Sequence, residues 1–200
     1  MGAGEGFLLA VITKPEVYPG EVVLLEELLE AGVERLHLRK PGGSVEGLLE
    51  RLAPRWASRL VVHGSAELAA RYEVAQIHGA VKAGVNGIAL STSVHSWDEF
   101  RGLPGGLAYA FISPLFDSIS KRGYRATDDL LTIPPGPLVC RPIGMGGVSD
   151  KTIGLMMVRG WTGAAVLGWI WEEPGAAVSR FEQLKKIIDG QAKGAGGGGL

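Results

Sequence analysis

Short apolar runs alternate with amphipathic segments along most of the chain. The apolar runs are five to nine residues long and rich in Val, Ile, Leu and aromatic residues. None of them alternates cleanly between apolar and polar residues, which is typical of strands that are covered on both faces. They predict eight β-strands, at residues 7–13, 35–39, 59–63, 74–78, 87–91, 107–113, 137–145 and 164–168.

Several of the intervening segments have the periodicity of a helix. Residues 21–32 place four leucines on one face and glutamates on the other, and the pattern ends at Gly32. Hydroxyl residues stand where helix N-caps are expected, at Ser44, Ser65, Ser96, Thr127 and Ser149. Strands that alternate with helices predict an α/β protein with a parallel sheet, and eight of them predict a (β/α)8 TIM barrel.

The strand count favours this closed barrel over a doubly wound open sheet, and no G-x-G-x-x-G motif follows the first strand. Only GAVKAGVN, residues 79–86, separates strands 4 and 5, so we expect a shortened unit there. Residues 1–189 are predicted to form a single TIM-barrel domain. Residues 190–200 contain six glycines and are predicted to be a disordered tail.

The overall charge narrows the classes of partner. Twenty basic and 21 acidic residues give a net charge of −1, so the sequence predicts neither a nucleic-acid partner nor a membrane partner. The opening apolar run, residues 7–13, is too short to span a bilayer, and residues 1–6 lack the basic residues of a signal peptide. A cytoplasmic location is therefore expected. Cys140 is the single cysteine, which excludes an internal disulfide.

In a barrel of this kind, ligands bind at the carboxyl ends of the strands. All four histidines fall at predicted strand ends, and three of them, His37, His63 and His78, lie on neighbouring strands. Because an imidazole can transfer protons near neutral pH, these three are the predicted catalytic residues. The alternative role of each is a hydrogen bond to a nearby carbonyl. The three could also bind Zn²⁺ together, but they share no fixed spacing, so no metal ligand is predicted.

A phosphate site is predicted at the same mouth of the barrel. Gly146 and Gly147 let backbone N–H groups approach phosphate oxygens, and a helix capped by Ser149 would add its dipole. A tight turn is the alternative role of this glycine pair. Further donors would come from the loop after the sixth strand, through Ser118, Ser120 and Lys121.

Five motifs occur in the order HLRKP (37–41), STSVHSWDE (91–99), YAFISPLFDSISKRGY (109–124), GMGGVS (144–149) and GAAVLGWIW (163–171). In this order they resemble the thiamin phosphate synthase family, which includes the thiazole tautomerases, and the match runs from about Leu8 to Trp171. The resemblance implies a (β/α)8 barrel and a transferase. The implied reaction uses Mg²⁺ to join hydroxymethylpyrimidine pyrophosphate to thiazole phosphate and releases pyrophosphate.

The resemblance also implies which residues bind the phosphorylated thiazole and the pyrimidine pyrophosphate. The family's T-x-T-K motif after strand six matches Ser118, Ser120 and Lys121, hydroxyl for hydroxyl. The implied substrate-binding and phosphate-binding residues are Arg39, Lys40, Ser93, Ser118, Ser120, Lys121, Gly146, Gly147, Leu167 and Gly168. A homodimer is compatible with the sequence.

The chain departs from both branches of this family. The carboxylates that hold Mg²⁺ in the synthases are replaced by His63-Gly64, and no carboxylate occurs between Val74 and Trp97. Mg²⁺ is therefore expected only if synthase activity survives without them, and Arg39, Lys40, Lys82 and Lys121 would then neutralise pyrophosphate. Pro114 replaces the tautomerase histidine. Three functions remain open, namely the synthase reaction, a proton transfer on thiazole phosphate carboxylate by a relocated histidine, and non-catalytic binding or regulation.

The remaining carboxylates near the predicted mouth are expected to serve the fold. Asp98 and Glu99 would lie in the first turn of a helix after Ser96, where the helix dipole favours negative charge. Asp117 would accept backbone N–H bonds in a turn. None of the three is a predicted metal ligand.

Overall fold

Eight parallel strands close into a barrel in the computed structural model of the chain, which describes residues 6–79, 88–116 and 128–196. Each strand pairs with its sequence neighbours, and the first pairs with the last to complete the ring. The strands are β1 (Leu8–Ile12), β2 (Arg35–Leu38), β3 (Leu60–His63), β4 (Gln76–His78), β5 (Ala89–Val94), β6 (Leu107–Ile112), β7 (Arg141–Met145) and β8 (Gly163–Val166). The predicted TIM barrel and all eight predicted strands are confirmed.

Helices cover the outside of this barrel. They are α1 (Glu21–Glu30), α2 (Glu46–Trp56), α3 (Ala66–Arg71), α4 (Trp97–Arg101), α5 (Asp128–Leu131), α6 (Ile153–Val158), α7 (Gly168–Trp171) and α8 (Ala177–Gly196), with short 3-10 helices at Ala57–Arg59 and Pro174–Ala176. Among the described residues, no helix has both the length and the apolar character needed to cross a membrane.

The sequence makes predictions for the connection between β4 and β5 and for the C-terminal end of the last helix. Ten residues connect β4 to β5, and the central part of this predicted short unit, residues 80–87, lies outside the described residues. The glycine content of residues 190–200 predicts a disordered tail. The last helix nevertheless continues through residues 190–196. Buried apolar residues in its first half, Phe181, Leu184 and Ile188, hold this helix against the barrel, so it can extend into residues of low intrinsic helix propensity.

Local sequence explains where several helices begin. Ser65 and Ser96 are N-caps, since their hydroxyls accept hydrogen bonds from the backbone N–H groups of Leu68 and Glu99. Ser44 instead accepts a bond from Glu46 N–H just before α2, whose N-cap is Val45. These bonds satisfy N–H groups that have no partner inside a helix.

The barrel interior is divided into an apolar half and a polar half. One half is a buried cluster on β1, β6, β7 and β8, formed by Leu8, Ala10, Ile12, Tyr109, Phe111, Ile143 and Ala165. Alternate residues along a barrel strand face inward. On β2 to β5 this alternation presents mainly polar side chains beside Val61, namely His37, His63, Gln76, His78, Ser91 and Ser93. The polar half therefore opens into the mouth where the strands end.

Candidate functional site

A cavity of about 460 Å³ opens at the carboxyl ends of the strands. Side chains from both interior halves line it, including Ile12 and Phe111 from the apolar half. The structure brings eight of the predicted site residues to this one cavity, namely Arg39, His63, His78, Ser93, Gly146, Gly147, Leu167 and Gly168. They follow from six different strands or the loops after them, so barrel closure is what assembles them.

Three imidazoles form a compact cluster at the base of this cavity. His63 and His78 occupy paired positions on β3 and β4, and their ring centroids are 4.5 Å apart. His37 lies beneath them, fully buried, with its centroid 5.3 Å from each of the other two. We refer to His37, His63 and His78 as the histidine cluster.

Hydrogen bonds fix the orientation of these rings. His37 contacts His63 through Nδ1 and Nε2, which are 3.1 Å apart, and its own Nε2 lies 2.7 Å from the hydroxyl of Tyr109. His78 is held at both ring nitrogens by hydroxyls, with Ser91 Oγ 3.0 Å from Nδ1 and Ser93 Oγ 2.9 Å from Nε2. Among the described residues, no carboxylate bonds to any of these three rings.

Burial keeps the histidine cluster uncharged. Desolvation, followed by the nearby His78 and then Arg39, lowers the pKa of His63 to about 3. Desolvation and then Arg39 lower the pKa of His78 to about 4. The pKa of His37 falls well below its usual value, first because the ring is buried and then because of the other two imidazoles and Arg35. All three rings are neutral at physiological pH.

Arg39 supplies the positive charge of the cavity. The hydroxyl of Thr13 accepts a bond from the backbone N–H of Arg39 at 2.9 Å and lies 3.2 Å from its carbonyl oxygen. This contact between the ends of β1 and β2 fixes the backbone at Arg39. Among the described residues that line the cavity there is no carboxylate, so the site favours anionic ligands.

Lys40, the neighbour of Arg39, does not reach the cavity. Its ammonium group is completely buried on the other side of β2, where it pairs with the Glu21 carboxylate at 2.5 Å. The same group donates to the carbonyl oxygens of Lys14 and Glu16, both at 2.8 Å. All three of its N–H donors are occupied, so the prediction that Lys40 binds phosphate is wrong. Adjacent residues at a strand end point to opposite faces, which separates Lys40 from Arg39.

The glycine pair forms a tight turn that is open to the cavity. Gly146 and Gly147 have φ angles of 94° and 64°, a region that suits glycine. A Cβ atom on Gly146 would lie 2.9 Å from the Cα of Pro114. Two backbone bonds, Leu115 N–H to Met145 O and Phe116 N–H to Gly146 O, join this turn to the end of β6.

Ser149 is not the N-cap that the sequence predicts. The helix α6 begins three residues later, with Thr152 at its N-cap, and the Ser149 hydroxyl accepts a bond from Lys151 N–H. Thr152 Oγ1 donates to Gly147 O and accepts from Ser149 N–H. These bonds stabilise the turn after the glycine pair, but no helix starts directly at it.

The fourth histidine and its neighbouring carboxylates have structural partners. His95 lies at the cavity and contacts Ser113 O through Nδ1 at 2.9 Å. Glu99 accepts a bond from His95 N–H, and Asp98 forms an exposed ion pair with Arg101. The predicted site residues Ser118, Ser120 and Lys121 lie outside the described residues, as do Lys82 and the predicted turn residue Asp117.

Several residues of this site are not among those predicted from the sequence. Tyr109 and Ser91 orient the histidine cluster, and the Phe111 ring lies 4.8 Å and 4.9 Å from the His37 and His78 rings. Tyr109 and Phe111 are two residues apart on β6. Their spacing in LAYAFI was the available signal, since residues i and i+2 of a strand share a face.

Comparison with known proteins supports the fold and relates it to enzymes. No family model matches the chain, and no curated protein matches its sequence. Among solved structures, a thiamine phosphate pyrophosphorylase from Bacteroides thetaiotaomicron is 25% identical, with a TM-score of 0.73 over 90% of this chain and 97% of that one. A thiamine phosphate pyrophosphorylase from Pyrococcus furiosus is 18% identical, with a TM-score of 0.69 over 92% and 96% of the two chains.

Similar barrels also perform other reactions. (S)-3-O-geranylgeranylglyceryl phosphate synthase from Thermoplasma acidophilum is 9% identical, with a TM-score of 0.62 over 92% of this chain and 94% of that one. Aldolases have the same architecture. The chain is therefore a TIM barrel related in structure to thiamine phosphate pyrophosphorylases, and also to aldolases and other synthases.

Proposed function

We propose that the protein is a transferase of the thiamin phosphate synthase type, which binds a phosphorylated thiazole in the cavity at the barrel mouth. The observation that carries this proposal is the convergence of Arg39, Ser93 and the glycine pair on one cavity. Each of these residues matches a substrate-binding position implied by the sequence resemblance. The similarity to the Bacteroides thetaiotaomicron enzyme supports the same assignment.

The cavity provides separate surfaces for the two ends of such a ligand. Arg39 contributes charge, and the turn at Gly146 and Gly147 presents backbone to the cavity, so a phosphate would bind at this rim. Phe111 and Ile12 provide an apolar surface for a heterocyclic ring. The second substrate carries a pyrophosphate whose departure needs cations, and Arg39 is the cation among the described lining residues.

A binding experiment tests the substrate class directly. Thiazole phosphate is titrated into the protein by calorimetry in buffer containing EDTA. Arg39→Gln should weaken binding by about 10- to 100-fold, the effect of removing one hydrogen bond to a charged group. Arg51→Gln, which removes an exposed charge from α2, is the matched control and should leave the affinity unchanged. Equal affinities of the Arg39 and Arg51 variants would refute the proposed binding site.

A second experiment tests the reaction. Purified protein is incubated with thiazole phosphate and hydroxymethylpyrimidine pyrophosphate, and thiamin phosphate is measured with Mg²⁺, with Zn²⁺ and with EDTA. Formation of thiamin phosphate is the expected result, and the comparison of the three conditions shows whether the reaction needs a metal. Binding of thiazole phosphate without any product would leave the proposed ligand in place and reject the transferase reaction.

Proton transfer on thiazole phosphate carboxylate is the second candidate. One observation favours it, because the imidazoles of His63 and His78 line the cavity while the described lining contains no carboxylate to hold Mg²⁺. A neutral imidazole can accept a proton from a bound ligand. Tautomerisation measured with EDTA present should then be lost in both His63→Gln and His78→Gln. Full activity in both variants would reject this candidate.

A further inference from the structure

The histidine cluster offers three nitrogen ligands to one point. His37, His63 and His78 each present a ring nitrogen, and these nitrogens all lie within 4.8 Å of one another. We propose that the histidine cluster binds one divalent transition-metal ion, with Zn²⁺ as the preferred ion. This inference does not depend on the identity of the organic substrate, because the ligands come from the protein alone.

The separations are close to those of a zinc site. With Zn–N bonds of 2.0–2.1 Å and tetrahedral angles, ligand nitrogens are about 3.3 Å apart. His37 Nδ1 and His63 Nε2 are already 3.1 Å apart. Since no pair exceeds 4.8 Å, the widest separation would have to contract by at most about 1.5 Å. Small movements of the His63 and His78 rings, which border the cavity, can provide this contraction, with the bond from His78 Nε2 to Ser93 given up to the metal.

The hydroxyl partners of His78 and His37 leave one ring nitrogen of each facing the centre of the cluster. Ser91 Oγ donates to Ile77 O, so toward His78 it acts as an acceptor of the Nδ1 proton. The lone pair of His78 is then on Nε2, the nitrogen that faces the cavity side at Ser93. His37 has Tyr109 at Nε2, so Nδ1 is the nitrogen that faces His63, and a metal ion would take the place of the proton now held between His37 Nδ1 and His63 Nε2. Such outer partners orient the imidazoles that bind metal in proteins.

Position and chemistry determine the kind of metal site. His63, His78 and Ser93 line the cavity, so a fourth ligand can approach from the solvent side. Three protein ligands with an open fourth position are typical of catalytic zinc sites. Imidazole nitrogens suit Zn²⁺ and the neighbouring transition metals, whereas Mg²⁺ requires hard oxygen ligands. The positive charge of Arg39 would favour an anion as the fourth ligand.

Metal titration tests this site without any substrate. The protein is stripped with EDTA, dialysed and titrated with Zn²⁺ by calorimetry and with Co²⁺ by visible absorption. We expect one equivalent of each ion and the intense visible bands of tetrahedral Co²⁺. His63→Gln and His78→Gln should each weaken Zn²⁺ binding by more than about 100-fold, and Tyr109→Phe by about 10-fold through loss of the outer hydrogen bond.

The fourth histidine provides the matched control. His95→Gln removes an imidazole from the same cavity but outside the cluster, so its Zn²⁺ affinity should equal that of the unmodified protein. Circular dichroism confirms that each variant is folded. The proposal is overturned if the unmodified protein shows no saturable Zn²⁺ binding, or if His95→Gln loses as much affinity as His63→Gln. This titration contains no thiazole and the thiazole titration contains EDTA, so each proposal can fail independently.

Discussion

Arg39 and Lys40 show how one position along a strand end changes the role of a cation. Both residues belong to the HLRKP motif, and the family resemblance implies a phosphate-binding role for both. The Thr13 contact holds the Arg39 backbone at the cavity, whereas the buried carboxylate of Glu21 binds Lys40 on the opposite face. Sequence alone could not show this difference, because the partner of Lys40 comes from the start of α1, 19 residues away.

Lys40 and Glu21 give a stability prediction at this scale. Lys40→Met leaves the Glu21 carboxylate buried without its cation, so we expect the free energy of unfolding to fall by about 3–5 kcal/mol. Urea unfolding followed by circular dichroism measures the change. The double variant Lys40→Met, Glu21→Leu should recover most of the loss, because a hydrophobic pair can replace a buried ion pair. A loss below about 1 kcal/mol in the single variant would mean that the pair contributes little, as exposed pairs do.

The histidine cluster was predictable as a location but not as a geometry. Strand ends placed His37, His63 and His78 at the mouth because their runs were recognisable as strands. The 3.1 Å contact between His37 and His63 depends on the register of β2 against β3, which pairs His37 with Val61. Register is set by packing across the barrel, so the sequence could not give the distances between rings.

At the scale of elements, the strands were predictable because each is a distinct apolar run between polar segments. The residues at which the strands begin and end were harder to predict. The seventh strand begins at Arg141, although the apolar run begins at 137, because only the later residues pair with β6 and β8. The N-cap of α6 was misplaced for a similar reason, since Ser149 and Thr152 are both good caps and the turn after Gly147 decides between them.

The turn at Gly146 gives a prediction for this element. Gly146→Ala requires a side chain at φ 94°, which costs about 1–2 kcal/mol. Its Cβ would also meet Pro114 Cα at 2.9 Å, and crowding of this kind adds about 1–3 kcal/mol. We expect a corresponding loss of stability in urea unfolding together with weaker binding of thiazole phosphate, because the turn must move.

Gly160 is the control for this substitution. It has a similar φ of 84°, but an added Cβ would meet nothing within 4 Å. Gly160→Ala should therefore show the backbone cost alone, with unchanged ligand binding. If the two alanine variants were equally stable and bound the ligand equally well, the contact with Pro114 would have no functional role.

For the whole molecule, barrel closure followed from the count of eight strands and the regular succession of helices. The division of the interior into an apolar and a polar half could not be predicted in this way, because it depends on which residues of each strand face inward. In the polar half, His37 and His78 are buried and His63 is partly buried, which has a consequence for the dependence of stability on pH. Neutral imidazoles inside the fold take up protons less readily than imidazoles in the unfolded chain.

The metal-free protein should therefore lose stability in mild acid. The pKa of an unfolded histidine is 6.5, whereas the folded values are about 3 for His63 and about 4 for His78. Below pH 6.5 the unfolded state binds more protons, so the free energy of unfolding falls as the pH falls, by up to about 1.4 kcal/mol per pH unit for each imidazole. Urea unfolding in EDTA between pH 7.5 and 5, above the carboxylate range, measures this slope.

Removal of one imidazole identifies the source of the slope. His63→Gln should lower the slope of the free energy of unfolding against pH by the contribution of about one proton. His95→Gln, which changes the exposed fourth histidine, should leave this slope unchanged. A slope that is unchanged in His63→Gln would show that other groups cause the acid sensitivity.

The division of the barrel interior also implies that the ring of strands opens unevenly. Local opening costs least where few apolar contacts oppose it. The strand β4 has only three residues, and two of them are the polar Gln76 and His78. In addition, Gln76 Nε2 is buried without a hydrogen-bond partner among the described residues. The strand β6, with Tyr109 and Phe111 inside, lies in the apolar half. Native-state hydrogen exchange should therefore show the amides of β4 exchanging through small fluctuations, while those of β6 exchange only when the entire barrel unfolds.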